Sequence, residues 1–386
     1  MRVLQVCELP VNEIAPFGNI DLGVSVDRFF TMGFCPGDAV DVEFSNGFAF
    51  RNIPVFSGFY GDGDMPCLYA SISLYPHVGI GCPVSGNPWR MAGVKLGDTA
   101  CITLRSRQSF EQLEKSMCLP ELRGLAPCRA PQQSANWRSL AGGRIALGLI
   151  YRSCSPIRDD VSAADTACAL MNEAGIQAVL NLSDSPTLME AGKMREPAGT
   201  SPYLRLYDEN RVLLLHLGVD FRLQENARSL AQGLLWLASQ PKPALVHCKL
   251  GLDRTGTVCV LLEMLAGGDY ADISRDYRTS YFNLFGPPPQ GEQGYPLCDL
   301  RFKELVDFLL SLVQGEKSSD SYPGVAVGAE DAQNDVANIA QIAPDSETLR
   351  RAARAYLGFG GLSDEEIDLI ESWLECARVD GGGVSR

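Results

Sequence analysis

The sequence is poor in the residues that usually hold metals or staple small folds. It has three histidines, and its 13 cysteines are an odd number with no CxxC pair among them. Zinc sites draw on tightly spaced clusters and disulfide scaffolds on an even framework, so neither is expected. Most of the cysteines instead read as small buried hydrophobes in a reducing compartment. Basic charge is also short. Lys and Arg number 33 against 47 Asp and Glu, a formal net charge of -14. That balance disfavours nucleic acid or an anionic bilayer as a partner, although one local cationic loop can still hold a phosphate. No apolar run approaches the roughly 18 residues that span a bilayer, so no integral membrane segment is expected. The first residues, MRVLQVCELPVNEIAPF, place Glu8 and Pro10 where the core of a secretory signal would lie, which makes the cytoplasm the expected location. No internal repeat is evident, and nothing calls for a cofactor.

What is present suits a globular chain of two domains: 386 residues, 46% hydrophobic and 21% charged. Residues 1–105 are β-rich. Short runs at 39–44, 48–51 and 100–104 are separated by turn signals, of which Asn46-Gly47 is a strong hairpin marker. An antiparallel barrel or sandwich fits this part. Residues 106–136 read as a connector, with a short helix at 110–117. From 137 to 313 strands alternate with helices: strands at 147–151, 177–182 and 243–247, helices at 162–174, 226–237 and 300–312. This order predicts a mixed, mainly parallel sheet flanked by helices. Residues 314–345, rich in Gly, Ser, Asp and Ala, read as a linker or insertion. Helices follow within 346–378, the second opened by a Ser363–Glu366 capping box. The fold class is therefore α/β with an N-terminal all-β domain.

One loop carries chemistry. A short apolar strand ends in His247-Cys248, and after Lys249, Leu250, Gly251, Leu252 and Asp253 come Arg254 and Thr255, opening an apolar helix at 257–265. Successive backbone N–H groups leading into a helix form an anion nest, reinforced by the helix dipole. Such a potential favours the thiolate, the nucleophilic form of a cysteine. Arg254 offers a planar fork for two phosphate oxygens, and Gly251 permits a tight backbone path. Thr255 can donate its hydroxyl to a leaving thiolate, and His247 can fix the loop through its ring. A buried core cysteine beside a surface arginine would be the bland alternative. The strand, the internal glycine and the HC-x5-R-T spacing together favour the chemical one.

HCKLGLDRTG resembles the signature of the cysteine-dependent protein tyrosine phosphatase superfamily, and its Asp before Arg is similar to a bacterial tyrosine and phosphoinositide phosphatase group. Tyr151-Arg152-Ser153-Cys154-Ser155-Pro156 resembles that group's YRSxS segment, and residues 179–184 its strand ending in an acidic loop. Residues 355–367 resemble its helical tail, which implies that the last helices pack on the catalytic domain. The stretch 37–47 resembles the β-domain at the C-terminus of S-adenosylmethionine hydroxide adenosyltransferases, a likeness of fold only. The resemblance implies hydrolysis of a phosphate monoester through a phosphocysteine, with a phosphorylated protein or small phosphate monoester as partner. It also implies that Asp253 is the proton donor, a role for which Asp184 is the alternative and Asp220 a third candidate. Asp253 could equally orient the loop or pair with Arg254. The group often has Lys where this chain has Leu252, a Lys associated with polyanionic lipid headgroups. Its loss weakens phosphoinositides and inositol phosphates as substrates, although Lys249 offers a cation nearby. A phosphate-binding pseudo-enzyme would have no need of Cys248, and arsenate reduction or sulfur transfer would call for a resolving cysteine that the loop lacks.

Other residues have ordinary readings. His77 and His216 have no ligand-spaced partners, and Arg152 suits a salt bridge. Tyr277, Tyr281 and Phe282 have the spacing of packing residues. Cys154 or Cys259 could pair with Cys248 under oxidation, with simple burial as the default.

Overall fold

A computed structural model describes residues 4–14, 18–58, 65–70, 77–82, 88–117, 130–158, 161–193, 201–288, 294–314 and 343–375. The chain divides into two compact units, Met1–Leu125 with Pro287–Arg301, and Ala126–Gly286 with Phe302–Arg386.

In the first unit β1 (Gln5–Ile14), β2 (Ile20–Ser25), β3 (Ala39–Phe44), β4 (Ala49–Phe56), β5 (Cys67–Tyr69), β6 (His77–Gly81) and β7 (Thr99–Ser106) close into a barrel in the order β1-β2-β6-β5-β4-β3-β7. All pairs are antiparallel except β4–β5. Alternation builds the core. Ile20, Leu22 and Val24 of β2 and Val40 and Val42 of β3 point inward, where Phe29 stacks on Phe34 with ring centroids 4.4 Å apart. The Asn46-Gly47 turn joins β3 to β4, with Gly47 at φ +89° and the Asn46 Oδ1 accepting from the Phe48 amide at 3.0 Å. Closure gives every described strand of the barrel two neighbours. A disulfide joins Cys7 to Cys101 across β1 and β7, which withdraws those two from the set of free thiols. Cys67 and Cys82 are buried, as expected, whereas Cys35 is exposed. His77 pairs with Asp21 at 3.2 Å.

The second unit holds a five-stranded sheet. Here β8 is Arg138–Ser139, β9 Ile150–Ser153, β10 Ala178–Asn181, β11 Val212–Leu214 and β12 Ala244–His247, in the order β11-β10-β12-β9-β8. All pairings are parallel except β8–β9 at the edge, so the sheet is mixed and mainly parallel. The strand expected over 147–151 begins only at Ile150, because Gly148 takes a positive φ and Leu147 is turned to solvent. Helices cover the sheet. The chain carries α1 (Val26–Thr31), α2 (Pro88–Ala92) and α3 (Glu111–Met117) in the first unit. In the second it carries α4 (Pro131–Ser134), α5 (Ala164–Glu173), α6 (Pro186–Lys193), α7 (Pro202–Asp208), α8 (Gln224–Ala238), α9 (Asp253–Leu265) and α10 (Tyr270–Phe285). Next, α11 (Pro296–Gln314) begins in the first unit and ends in the second, and α12 (Ser346–Phe359) and α13 (Asp364–Glu375) complete the second. Helix α9 is buried on every side, between β9 and β12 below it and α10 and α12 around it. Of the final helices, α12 lies on α8 and α9, and Tyr356 donates to the Phe221 carbonyl at 2.9 Å. The Ser363–Glu366 capping box forms in both directions, at 2.9 and 3.3 Å. Most of the 314–345 segment lies outside the described residues. No helix among the described residues is long and apolar enough to cross a membrane.

Candidate active site

Every residue of β12 is buried, and it lies between β10 and β9 with Asn181, His247 and Ser153 level with one another. Chain reversals after these strands converge on their carboxyl ends, where open α/β sheets place ligands. The residues from Cys248 to Leu252 bridge β12 to α9, with Asp253 as the first residue of the helix. Gly251 sits at φ +69°, and a Cβ there would come within 2.3 Å of the Ser153 carbonyl oxygen. The glycine is required both by its conformation and by this close approach.

The loop carbonyls are tied from outside. His247 Nδ1 lies 3.2 Å from the Cys248 oxygen, and the Ser155 amide donates to Lys249 at 3.0 Å. The Asn136 amide group donates to Leu250 at 3.4 Å and to Gly251 at 3.0 Å, and Arg152 donates to Gly251 at 2.8 Å. With its carbonyls held outward, the loop is free to turn its N–H groups inward. Among the described residues the Leu250, Gly251 and Leu252 amides make no hydrogen bond. Cys248 is buried, and the fully buried Thr255 hydroxyl has no hydrogen-bond partner among the described residues. A buried unpaired hydroxyl costs about 1–3 kcal/mol, which is tolerable where a ligand or intermediate completes it. Arg254 donates to the Leu217 carbonyl at 3.1 Å, which anchors one guanidinium nitrogen in the loop after β11. Lys249 and Asp253 are half-buried at the two ends of the loop, and Leu252 is buried as the residue before α9.

Behind His247 runs a directed chain of hydrogen bonds. Asn181 donates to Asp184 at 2.9 Å and to the Tyr203 oxygen at 2.8 Å, and Tyr203 lies 2.8 Å from His247 Nε2. Burial drives the His247 pKa down to about 4, so the ring is neutral at pH 7. The network then assigns the proton to Nδ1, facing the Cys248 carbonyl, while Nε2 accepts from Tyr203. Burial alone would raise the pKa of Asp184. His247, the Asn181 hydrogen bond and the Arg158 ion pair at 3.0 Å instead hold it low. Since His247 is neutral, Arg158 is the standing charge that keeps this carboxylate ionised. Asp184 is 1% exposed. The carboxylate is thus enclosed and held by Arg158 and Asn181 together. Asp220 accepts from Arg222 at 3.1 Å, which makes it the anchor of its own loop.

Beneath Gly251 lies a second network that sequence reasoning missed, apart from the salt bridge expected of Arg152. Arg152 is fully buried and pairs with Asp276 at 2.5 Å, and Arg138 reaches the other oxygen of Asp276 at 2.6 Å. Burial opposes the charge on Asp276, but the two arginines outweigh it and keep the carboxylate ionised. Glu263 is driven the other way, by burial and by Asp276, toward its neutral form. Both arginines also donate to the Ser280 hydroxyl at 2.9 Å. Burial pushes the thiols of Cys154 and Cys259 up to about 12, which supports the simple-burial reading of both. Tyr277 and Tyr281 are buried packing residues of α10, as expected, while Phe282 is exposed. His216 takes a positive φ beside the Ser183 carbonyl. No cluster of three metal-ligating side chains occurs among the described residues.

The missed residues had partial signals. Ser201-Pro202 is an N-cap followed by Pro at the first helical position, which marks α7, though nothing local shows that Tyr203 meets His247. Glu263 is the one charged residue in the apolar run Val258–Leu265 of α9.

Residues 133–285 match the family model described as the tyrosine phosphatase family, so this stretch of the chain is tyrosine-phosphatase-like. The match takes in Asn136, Arg152, Tyr203, the Cys248 loop and Asp276, and it leaves the barrel outside. It suggests phosphatase activity and, with it, a phosphate ester as substrate. No curated protein matches the chain. Among solved structures, a crystal structure of an uncharacterized conserved protein from Thermotoga maritima aligns at 20% identity with a TM-score of 0.23. That alignment covers 26% of this chain and 38% of that one.

Proposed function

We propose that the second unit is a cysteine-dependent phosphatase that hydrolyses phosphate monoesters through a phosphocysteine, with phosphotyrosine in proteins as its substrate class. The observation that carries this reading is the loop after β12. Four consecutive carbonyls are held by His247, Ser155, Asn136 and Arg152, next to a buried cysteine and an unpartnered threonine hydroxyl. An array of inward amides at a helix N-terminus fits a dianionic phosphoryl group.

On this reading the Cys248 sulfur donates an electron pair to phosphorus as the ester P–O bond breaks. The departing oxygen takes the proton of Asp253. Arg254 and the loop amides hold the three equatorial oxygens while the group is planar. Water then attacks phosphorus and gives its proton to Asp253. The P–S bond breaks, and Thr255 donates a hydrogen bond to the leaving thiolate. His247 holds the first carbonyl of the loop, and Lys249 adds charge at the mouth. Leu252, where a lysine would favour lipid headgroups, supports a protein substrate over phosphoinositides.

Two measurements test this. Wild type should release phosphate from a phosphotyrosyl peptide faster than from phosphoinositide vesicles, and the reverse order would move the substrate class to lipids. Asp253→Asn should slow alkyl phosphates by about 10²-fold or more but para-nitrophenyl phosphate far less, because a good leaving group needs little protonation. Equal losses on both would remove Asp253 as the proton donor.

A further inference from the structure

Asn136 has a geometry that a simple turn residue does not need. It follows α4 and its C-cap Ala135 with φ +49°, a left-handed conformation that Asn tolerates at a helix end. A residue serving only as that cap could leave its side chain in solvent. Asn136 is instead fully buried, and its amide is saturated. The nitrogen donates to Gly251 at 3.0 Å and Leu250 at 3.4 Å, while the oxygen accepts from Arg138 at 2.7 Å and Asn283 at 3.1 Å. The two acceptor contacts fix which end of the amide faces the loop, since a flipped amide would set its N–H groups against the Arg138 and Asn283 donors. Arg138 is held in turn by Asp276, which also holds Arg152, the other donor to Gly251.

We propose that Asn136 is a positioning residue for the anion site: clamped by Arg138 and Asn283, it holds the Leu250 and Gly251 carbonyls outward and so keeps the N–H groups of the same two peptides, those of Gly251 and Leu252, aimed at the bound oxyanion. This rests on the phosphatase reading of the Cys248 loop for its chemistry, but the anion-binding part stands apart from catalysis. Peptide groups are rigid, so a carbonyl turned inward would replace an N–H donor at the anion with a repelling oxygen.

The test compares Asn136→Gly, which keeps the left-handed backbone and deletes the clamp, with Asn136→Asp, which keeps the shape and replaces the donor by an acceptor. Asn283→Ala, at a half-buried position, loosens the clamp without touching the turn. Tungstate binding is measured by calorimetry in a Cys248→Ser background, and kcat and KM for para-nitrophenyl phosphate are measured with Cys248 intact. Thermal melting of each variant checks folding. Asn136→Gly and Asn136→Asp should weaken tungstate at least about tenfold and lower kcat by about 10²-fold, as expected for misaimed donors. Asn283→Ala should shift both in the same direction by less. If Asn136→Asp or the folded Asn136→Gly protein binds tungstate and turns over like wild type, the clamp is not a positioning device. If both Asn136 variants fail to fold, unchanged tungstate binding by Asn283→Ala overturns the proposal, and weakened binding upholds it. Absence of hydrolysis by wild type would sink the phosphatase reading alone, because the tungstate comparison would still decide the clamp.

Discussion

At the residue scale, Gly251 and His247 bear opposite kinds of constraint. Gly251 is fixed by space. Its φ of +69° costs a side chain about 1–2 kcal/mol, and the 2.3 Å approach to Ser153 leaves no room for a methyl group. Gly251→Ala should therefore lower the melting temperature and abolish oxyanion binding together; a variant that melts and binds like wild type would show that the loop has another path. His247 is fixed by solvation. Its folded pKa is about 4 against an ordinary histidine value of about 6.5, so between those values the unfolded chain binds the proton that the folded chain refuses. Stability should thus fall as pH drops from about 6.5 to 4, by about 3 kcal/mol in full, and be flat in this component above pH 7. Urea unfolding at pH 7 and pH 4.5 measures this. His247→Gln should shrink the difference, and an undiminished slope in that variant would place the pH dependence elsewhere.

At the element scale, the candidate site is made where β9, β10 and β12 end level, and where α10 brings a charged partner, Asp276, beneath the loop. Asp276 on α10 joins the arginines at β8 and β9 into one brace. Removing its charge leaves two buried guanidinium groups facing each other, a loss of roughly 3–5 kcal/mol. Asp276→Asn should therefore unfold at markedly lower denaturant and turn over slowly even where folded; near-normal stability would mean that the brace carries no net weight. Much of this level was legible in the sequence. Strand 39–44, the hairpin at Asn46-Gly47, the central strand before Cys248 and the Ser363–Glu366 cap follow from local pattern and turn chemistry. Asn136 and Tyr203 were not legible. Asn136 falls in a stretch that reads as a connector, and its importance comes from partners more than a hundred residues away. A short helix such as α7 has no periodicity to display, and Asp184 reads as a loop acid until Arg158 and Asn181 are seen to enclose it.

At the scale of the whole molecule, the net charge of -14 and the anion site are compatible because the cations are local. Arg138, Arg152, Arg158 and Arg254 all lie in the second unit, each with hydrogen bonds that fix its place. The barrel has a core of its own, so the chemistry proposed here draws on residues of one unit only. The central claim is that Cys248 is the nucleophile of a phosphate monoester hydrolase. The full chain and its Cys248→Ser variant should be compared for release of para-nitrophenol from para-nitrophenyl phosphate, after equal melting temperatures have been confirmed. The account predicts that the variant falls by at least about 10³-fold, as expected on removing a covalent nucleophile. Equal rates from the two proteins would contradict it.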